Sequence, residues 1–286
     1  MFRLHTSIIC AAAVSLALFG CATPPDDPQD RAQWEEENDP LEPLNREIFA
    51  VNRVIDGLLI KPAAMIYRGV VPDEGRTAIR NVLGNLKEPV YLANNLLQGD
   101  LPGAGDTVAR FAINTTAGVA GIWQPSADMG LPRRPTGFGT TLHIWGTGEG
   151  PYLVLPILGP SNPRDAVGLV ADTLMDPFMW IASANDLDWI TYLRTGLDAL
   201  DRRANVLDSL DEIERTSLDF YAQIRTLYRQ QRKEELRRAA ERVSAARTEE
   251  IERVATLVAE DEIERVPMLA GRPTPGQPSV AELPPR

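Results

Sequence analysis

Cysteine and histidine are nearly absent. The chain has two of each, and Cys10, Cys21 and His5 all lie within the first 21 residues, which leaves His143 alone in the remainder. Neither a disulfide framework nor a histidine- or cysteine-based metal site can be assembled from that inventory. A Ser-His-Asp triad would need Ser126, Ser161 or Ser183 to converge on His143, and no G-x-S-x-G elbow frames any of them. "GTGEGPY", residues 146–152, has neither the preceding strand nor the following helix that a dinucleotide fingerprint requires, so turn glycines explain it. No enzyme activity and no cofactor or metal is therefore expected. Basic residues are also in deficit, 29 against 40 acidic, for a formal net charge of −11. That balance argues against nucleic acid as a partner. Beyond the first 20 residues no run of 18 apolar residues occurs, so no further spanning helix is expected.

What is present begins with "MFRLHTSIICAAAVSLALFGC". A lone Arg3, an apolar run from Ile8 to Phe19 and a small pair at its end predict a secretory signal peptide over residues 1–20. The ending "LFGC" resembles a bacterial lipobox, in which Cys21 becomes the acylated first residue. Loss of Arg3 would take the formal net charge from −11 to −12. Residues 21–38, polar, acidic and containing proline, predict a disordered tether. Ala22 rather than aspartate after the anchor favours, by resemblance to sorted lipoproteins, the outer membrane.

The folded body is expected over residues 39–228. In "PLNREIFAVNRVIDGLLI", residues 43–60, Leu44, Ile48, Val51, Ile55 and Leu58 make one helical stripe, while Asn45, Arg46, Asn52, Arg53 and Asp56 make the other face. Further helices are expected at 74–86, 89–98, 104–117, 137–145, 163–175 and 187–205, and "PYLVLPIL" as a buried extended connector. A long helix should run from Ser217 to about 262, docked through Tyr228, then charged and solvated over 229–266, with a short coiled coil or a docking helix for a soluble partner as the alternative. The proline-rich residues 267–286 should be disordered.

Asn45, Asn52, Asn81, Asn85, Asn94, Asn95 and Asn114 all lie on apolar helices. Buried amides must be hydrogen-bonded, so these either lock helices together or line a wet cavity. Asp165, Asp172 and Asp176 fall near one helical face, a spacing open to acid–base work or to helix capping. Trp123, Trp145, Trp180 and Trp189 suit a packed core or a bilayer interface.

Several blocks occur in one order: "DPLEPLNREIFAVNRVID" with "KP", "NLKEPVYLANNLLQGD", "ARFAINTTAGVAGIW", "FGTTLHIWGTGEGPYLVLPILGPSNPRDAVG" and "ADTLMDP". From about Asp39 to Arg232 the chain resembles the MlaA/VacJ family of outer-membrane lipoproteins. The resemblance implies a mainly α fold, a ring-like assembly of amphipathic helices lying in the membrane plane around a channel, plus the long C-terminal helix. It implies removal of mislocalised phospholipid from the outer leaflet, maintaining lipid asymmetry, with delivery to the periplasmic carrier MlaC beside a trimeric porin. The protein would then sit lipid-anchored in the inner leaflet of the outer membrane, on the periplasmic side. Channel or lipid-path residues carried over by the match are Asn45, Arg46, Phe49, Asn52, Asn94 and Asn95, with Phe138 and Gly139 marking the glycine-rich block. Val51, Arg53, Gln124, Thr136, Gly137 and Thr140 depart from the family pattern. A lipoprotein that scaffolds porins or envelope assembly and moves no lipid is the alternative.

Overall fold

The computed structural model describes Asp27 and residues 39–270, with side chains as far as residue 258. Cys21 and the expected signal, tether and proline-rich tail lie outside the described residues, apart from Asp27 and the short stretch at 267–270.

The chain is mainly helical. Helix α1 (Glu42–Ile55) passes through one π-helical turn (Asp56–Ile60) directly into α2 (Lys61–Val70), so residues 42–70 form one rod. At 1.5 Å per residue it is roughly 40 Å long. Pro62 lacks an amide hydrogen and its ring crowds the preceding turn. The widened π-turn just before it accommodates that defect, which is why the helix continues past a residue that reads as a stop. Helices α3 (Asp73–Asn85), α4 (Glu88–Gln98) and α5 (Leu101–Thr116) follow, then the short α6 (Pro125–Asp128) and α7 (Phe138–Ile144). A two-stranded hairpin, β1 (Leu153–Leu155) and β2 (Gly159–Ser161), pairs antiparallel with Val154 opposite Pro160. The last helices are α8 (Pro163–Leu174), α9 (Pro177–Ala184), α10 (Asp188–Asn205), α11 (Leu207–Thr216) and α12 (Phe220–Ala270).

Helix starts are written in the sequence as an Asp or Asn cap followed by proline within two residues. Asp100 accepts from the Gly103 amide, Asn162 from Asp165 and Asp176 from Phe178, each satisfying a first-turn donor. Packing neighbours then close into a circuit, from α10 to α3, α5, α4, α7, α12, α11 and back to α10. This closure is the counterpart of the ring-like assembly that the resemblance implies.

Two expectations need correcting. "PYLVLPIL" is not buried throughout: Tyr152 and Val154 are buried in β1 and its approach, but Ile157 and Leu158 are exposed at the hairpin turn. Helix α12 is not solvated from Arg229 onward either. It runs through that residue unbroken, and Leu236, Ala239, Val243 and Ala246 are all buried. Alanines supply half of that contact, letting backbones approach closely, and a stripe judged by its large residues underestimates them. Only past that point do Ile251, Val254 and Val258 stand exposed.

Candidate functional site

The apolar side chains of this fold are largely on its outside. Along the rod, Leu44, Val51, Val54, Leu58, Leu59, Met65, Ile66 and Val70 are each more than half exposed. The pattern continues on α8 with Val167 and Val170, on α9 with Trp180 and Ile181, and on α10 with Trp189, Tyr192 and Leu193. Monomers in water rarely expose contiguous patches beyond a few hundred Å². Among the described residues no helix is long and apolar enough to cross a membrane.

The inside, conversely, is rich in amides, hydroxyls and charges, beside two small apolar clusters, one of Ala64, Tyr67, Ala204 and Leu207 and one of Tyr152, Val154 and Tyr221. Asn45 and Asn52 are seven residues apart on α1 and face the same strand. The Asn45 Nδ2 donates to the Tyr152 carbonyl at 3.0 Å and its Oδ1 accepts from the Val154 amide at 2.9 Å. Asn52 repeats the pattern three residues further along, donating to Leu155 at 2.9 Å and accepting from Ile157 at 2.7 Å. Seven helical residues advance roughly 10.5 Å and three extended residues roughly 10 Å. Helix α1 therefore presents two side-chain amides as though they were the backbone of a neighbouring strand. Asn45 also donates to Asp39, whose other oxygen receives the Tyr221 hydroxyl and Arg225, so the chain's entry into the fold is tied to α12. Arg46 bridges Glu42 and Asp219 and lies 4.5 Å over the Tyr221 ring. Phe49 packs at 5.5 Å against both Phe220 and Tyr221.

A second group centres on α4. Asn94 is fully buried, donating to Val90 at 3.0 Å and Asp172 at 2.8 Å and accepting from the Thr141 hydroxyl at 2.7 Å. Its amide is fully occupied, as is the Nδ2 of Asn95, which donates to the Gly103 carbonyl and to Thr107. Gln98 donates to Thr136 and Thr141. The Phe138 amide opens α7 against Asp172, and its ring meets Trp145 edge-on at 5.8 Å. Gly139 marks a backbone crossing. A Cβ on Gly168 of α8 would lie 2.3 Å from the Gly139 nitrogen, and one on Gly139 would lie 2.5 Å from an Asp165 oxygen. Small residues that let helix backbones touch, with hydrogen bonds across them, are how helices associate in an apolar solvent. The remaining amides are fasteners too: Asn81 bonds Ile122, Asn85 bonds Thr115, and Asn114 accepts from Ser126.

The three aspartates do not act together. Asp165 takes Arg232 of α12 in a two-pronged pair at 2.7 and 2.8 Å. Burial pushes its carboxyl up, but the bonds and charge of Arg232, with Arg164, outweigh this and hold it below the ordinary carboxylate range. Asp172 is pushed up by burial against the bonds from Asn94 and Phe138. Asp176 caps α9 and pairs with Arg194. His143 sits with Nδ1 3.4 Å from an Arg164 nitrogen. Burial, then the charges of Arg164 and Arg232, hold its imidazole below its ordinary value, so it is neutral at pH 7.

Buried charges are what sequence reading missed. Glu88 and Arg110 pair at 2.5 Å with side chains only 3% exposed each, and Arg133 approaches the same carboxylate at 3.8 Å. Lys87 meets both oxygens of Asp198 on α10 at 2.7 and 2.8 Å. On helices of otherwise amphipathic pattern, "KEP" reads as a solvated first turn; only the positions of α5 and α10 reveal an interior.

Comparison with known proteins points to one family. The family model described as MlaA lipoprotein matches residues 37–235. The intermembrane phospholipid transport system lipoprotein MlaA of Shigella flexneri is 36% identical over 219 residues, covering 74% of this chain and 81% of its own. The protein of the same name from Haemophilus influenzae is 34% identical over 230 residues, covering 78% and 88%. A solved structure from work on the structural basis for maintenance of bacterial outer membrane lipid asymmetry superposes with a TM-score of 0.61 at 32% identity, covering 70% of this chain and all of its own. The chain belongs to the MlaA lipoprotein family.

Proposed function

We propose that this chain, anchored through Cys21 to the inner leaflet of the outer membrane, removes phospholipid from the outer leaflet and delivers it to the periplasm. The observation that carries the reading is the inverted polarity. The rod and α8–α10 turn large apolar residues outward, while Asn45, Asn94, Asn95, Gln98, Glu88 and Arg110 are buried. An apolar exterior suits acyl chains, and a hydrogen-bonded interior is the stable arrangement where no water competes. In this reading the buried Asn45, Asn94, Asn95 and Gly139 hold the wall rigid, and the half-buried Arg46, Phe49, Asn52 and Phe138 lie along the lipid path. A phospholipid needs both a polar and an apolar surface as it moves, and these four supply a charge, an amide and two rings. A trimeric porin as neighbour and MlaC as acceptor complete the proposal, supported by family membership. Transfer needs no energy source within the chain if the carrier withdraws the product.

The test is deletion of the gene in its host with measurement of outer-leaflet phospholipid. It should rise, and the wild-type gene should restore it while Cys21→Ala should not. Unchanged outer-leaflet phospholipid alongside defective envelope assembly would replace transport with scaffolding.

A further inference from the structure

Where α5, the loop before α7 and α12 meet, a cavity of about 10 Å³ is lined by Arg110, Arg134 and Arg242. Arg110 gives one nitrogen to Glu88, but its Nε and other terminal nitrogen are buried with no hydrogen-bond partner in the protein. Such donors are costly to leave unmatched. Among the described residues Arg242 has no carboxylate within 4.0 Å, and burial, followed by the charges of Arg134 and Arg238 against the pull of Asp100, keeps it below its ordinary range. Two carboxylates share the lining and offset part of its charge, Asp100 acting on Arg242 and Asp106 on Arg134. Asp100 caps α5 through the Gly103 amide at 2.8 Å, and Asp106 pairs with Arg134 at 3.3 Å. Three arginines thus line a space that admits one water-sized group.

We propose that this cavity recognises a phosphoryl group: one oxygen enters toward Arg110, and Arg134 and Arg242 grip the others at the mouth. Guanidinium forks match phosphate oxygens in geometry and charge. The size of the cavity decides the pose, because a whole phosphate does not enter while a single oxygen does. A lipid headgroup and free phosphate share this chemistry. The headgroup source rests on the transport reading above; the site itself does not.

The experiment titrates the full chain in maltoside micelles with inorganic phosphate and, separately, with dihexanoyl phosphatidylglycerol, for wild type, Arg242→Gln and Arg134→Gln. Unfolding temperatures confirm that the variants fold. Arg110 is left alone, since its loss would strand Glu88. The site predicts that at least one titrant binds and that each substitution weakens it roughly tenfold or more. Headgroup binding that phosphate displaces assigns a lipid; binding of phosphate alone assigns the free ion. Binding of neither, or binding that both substitutions leave unchanged, overturns the site. Protein that binds neither titrant yet clears outer-leaflet phospholipid sinks the site and spares the transport reading. The reverse result spares the site and sinks transport.

Discussion

The α4–α5–α7–α8 cluster and the docked half of α12 are both buried, by opposite means. The cluster is held by Asn94, Asn95, Gln98, Thr141 and Asp172, with glycines where backbones cross. Beyond its polar links to Asp39 and Asp165, helix α12 docks through Leu236, Ala239, Val243 and Ala246, as a helix of any water-soluble protein does. The difference is what one would expect of a body bathed in lipid beside a helix bathed in water. Apolar burial drives association only where water is the alternative; where acyl chains are the alternative, hydrogen bonds and close contact must do it.

The contrast can be broken most forcefully at its buried ion pair. Glu88→Ala strands Arg110 in the interior and should cost about 3–5 kcal/mol of stability in detergent. Glu88→Leu with Arg110→Met should recover most of it, and a double variant as unstable as the single would show that the charges contribute more than mutual neutralisation. Next comes the amide rail. Asn45→Ala leaves the Val154 amide and the Tyr152 carbonyl without partners and should cost about 2–3 kcal/mol. Hydrogen exchange at Val154 should quicken while α10 stays protected. On the α12 side, Val243→Ala removes only apolar contact and should cost about 1 kcal/mol.

Helix α12 should also respond to acid. Arg232 and Arg164 depress the Asp165 carboxyl below its unfolded value, so the stability it contributes is complete above the unfolded value near pH 4. That contribution is lost as pH falls through the lower folded value. Exchange along residues 232–246 should therefore accelerate below about pH 4, and Asp165→Asn should flatten that response. The smallest effect belongs to the exterior. Leu58→Ser should change stability in detergent by less than about 0.5 kcal/mol, yet weaken partition into vesicles.

Much of the fold was legible. The 3.6-residue pattern, with glycine and proline as punctuation, found α3–α5, α7, α8 and α10 close to their observed ends. Helix α2 was hidden by Pro62, since nothing local reveals that a π-turn will absorb it, and the short α6, α9 and α11 carried no long stripe. The candidate site was legible as a surplus of asparagines on apolar helices, but their partners were not. That Asn45 and Asn52 grip a strand more than a hundred residues away depends on tertiary placement. The same holds for Glu88 and Lys87, whose burial appears only once α5 and α10 are in position.

The most direct measurement places single nitroxide labels at Leu58, Ile66 and Trp189, with Arg202 as a solvent-facing control, in protein reconstituted into phospholipid vesicles. Oxygen and a water-soluble nickel chelate then compete to relax each label. An exterior that lies against acyl chains predicts that the first three respond to oxygen and are shielded from nickel, with Arg202 reversed. Equal nickel access at all four positions would contradict the inverted polarity on which the proposed function rests.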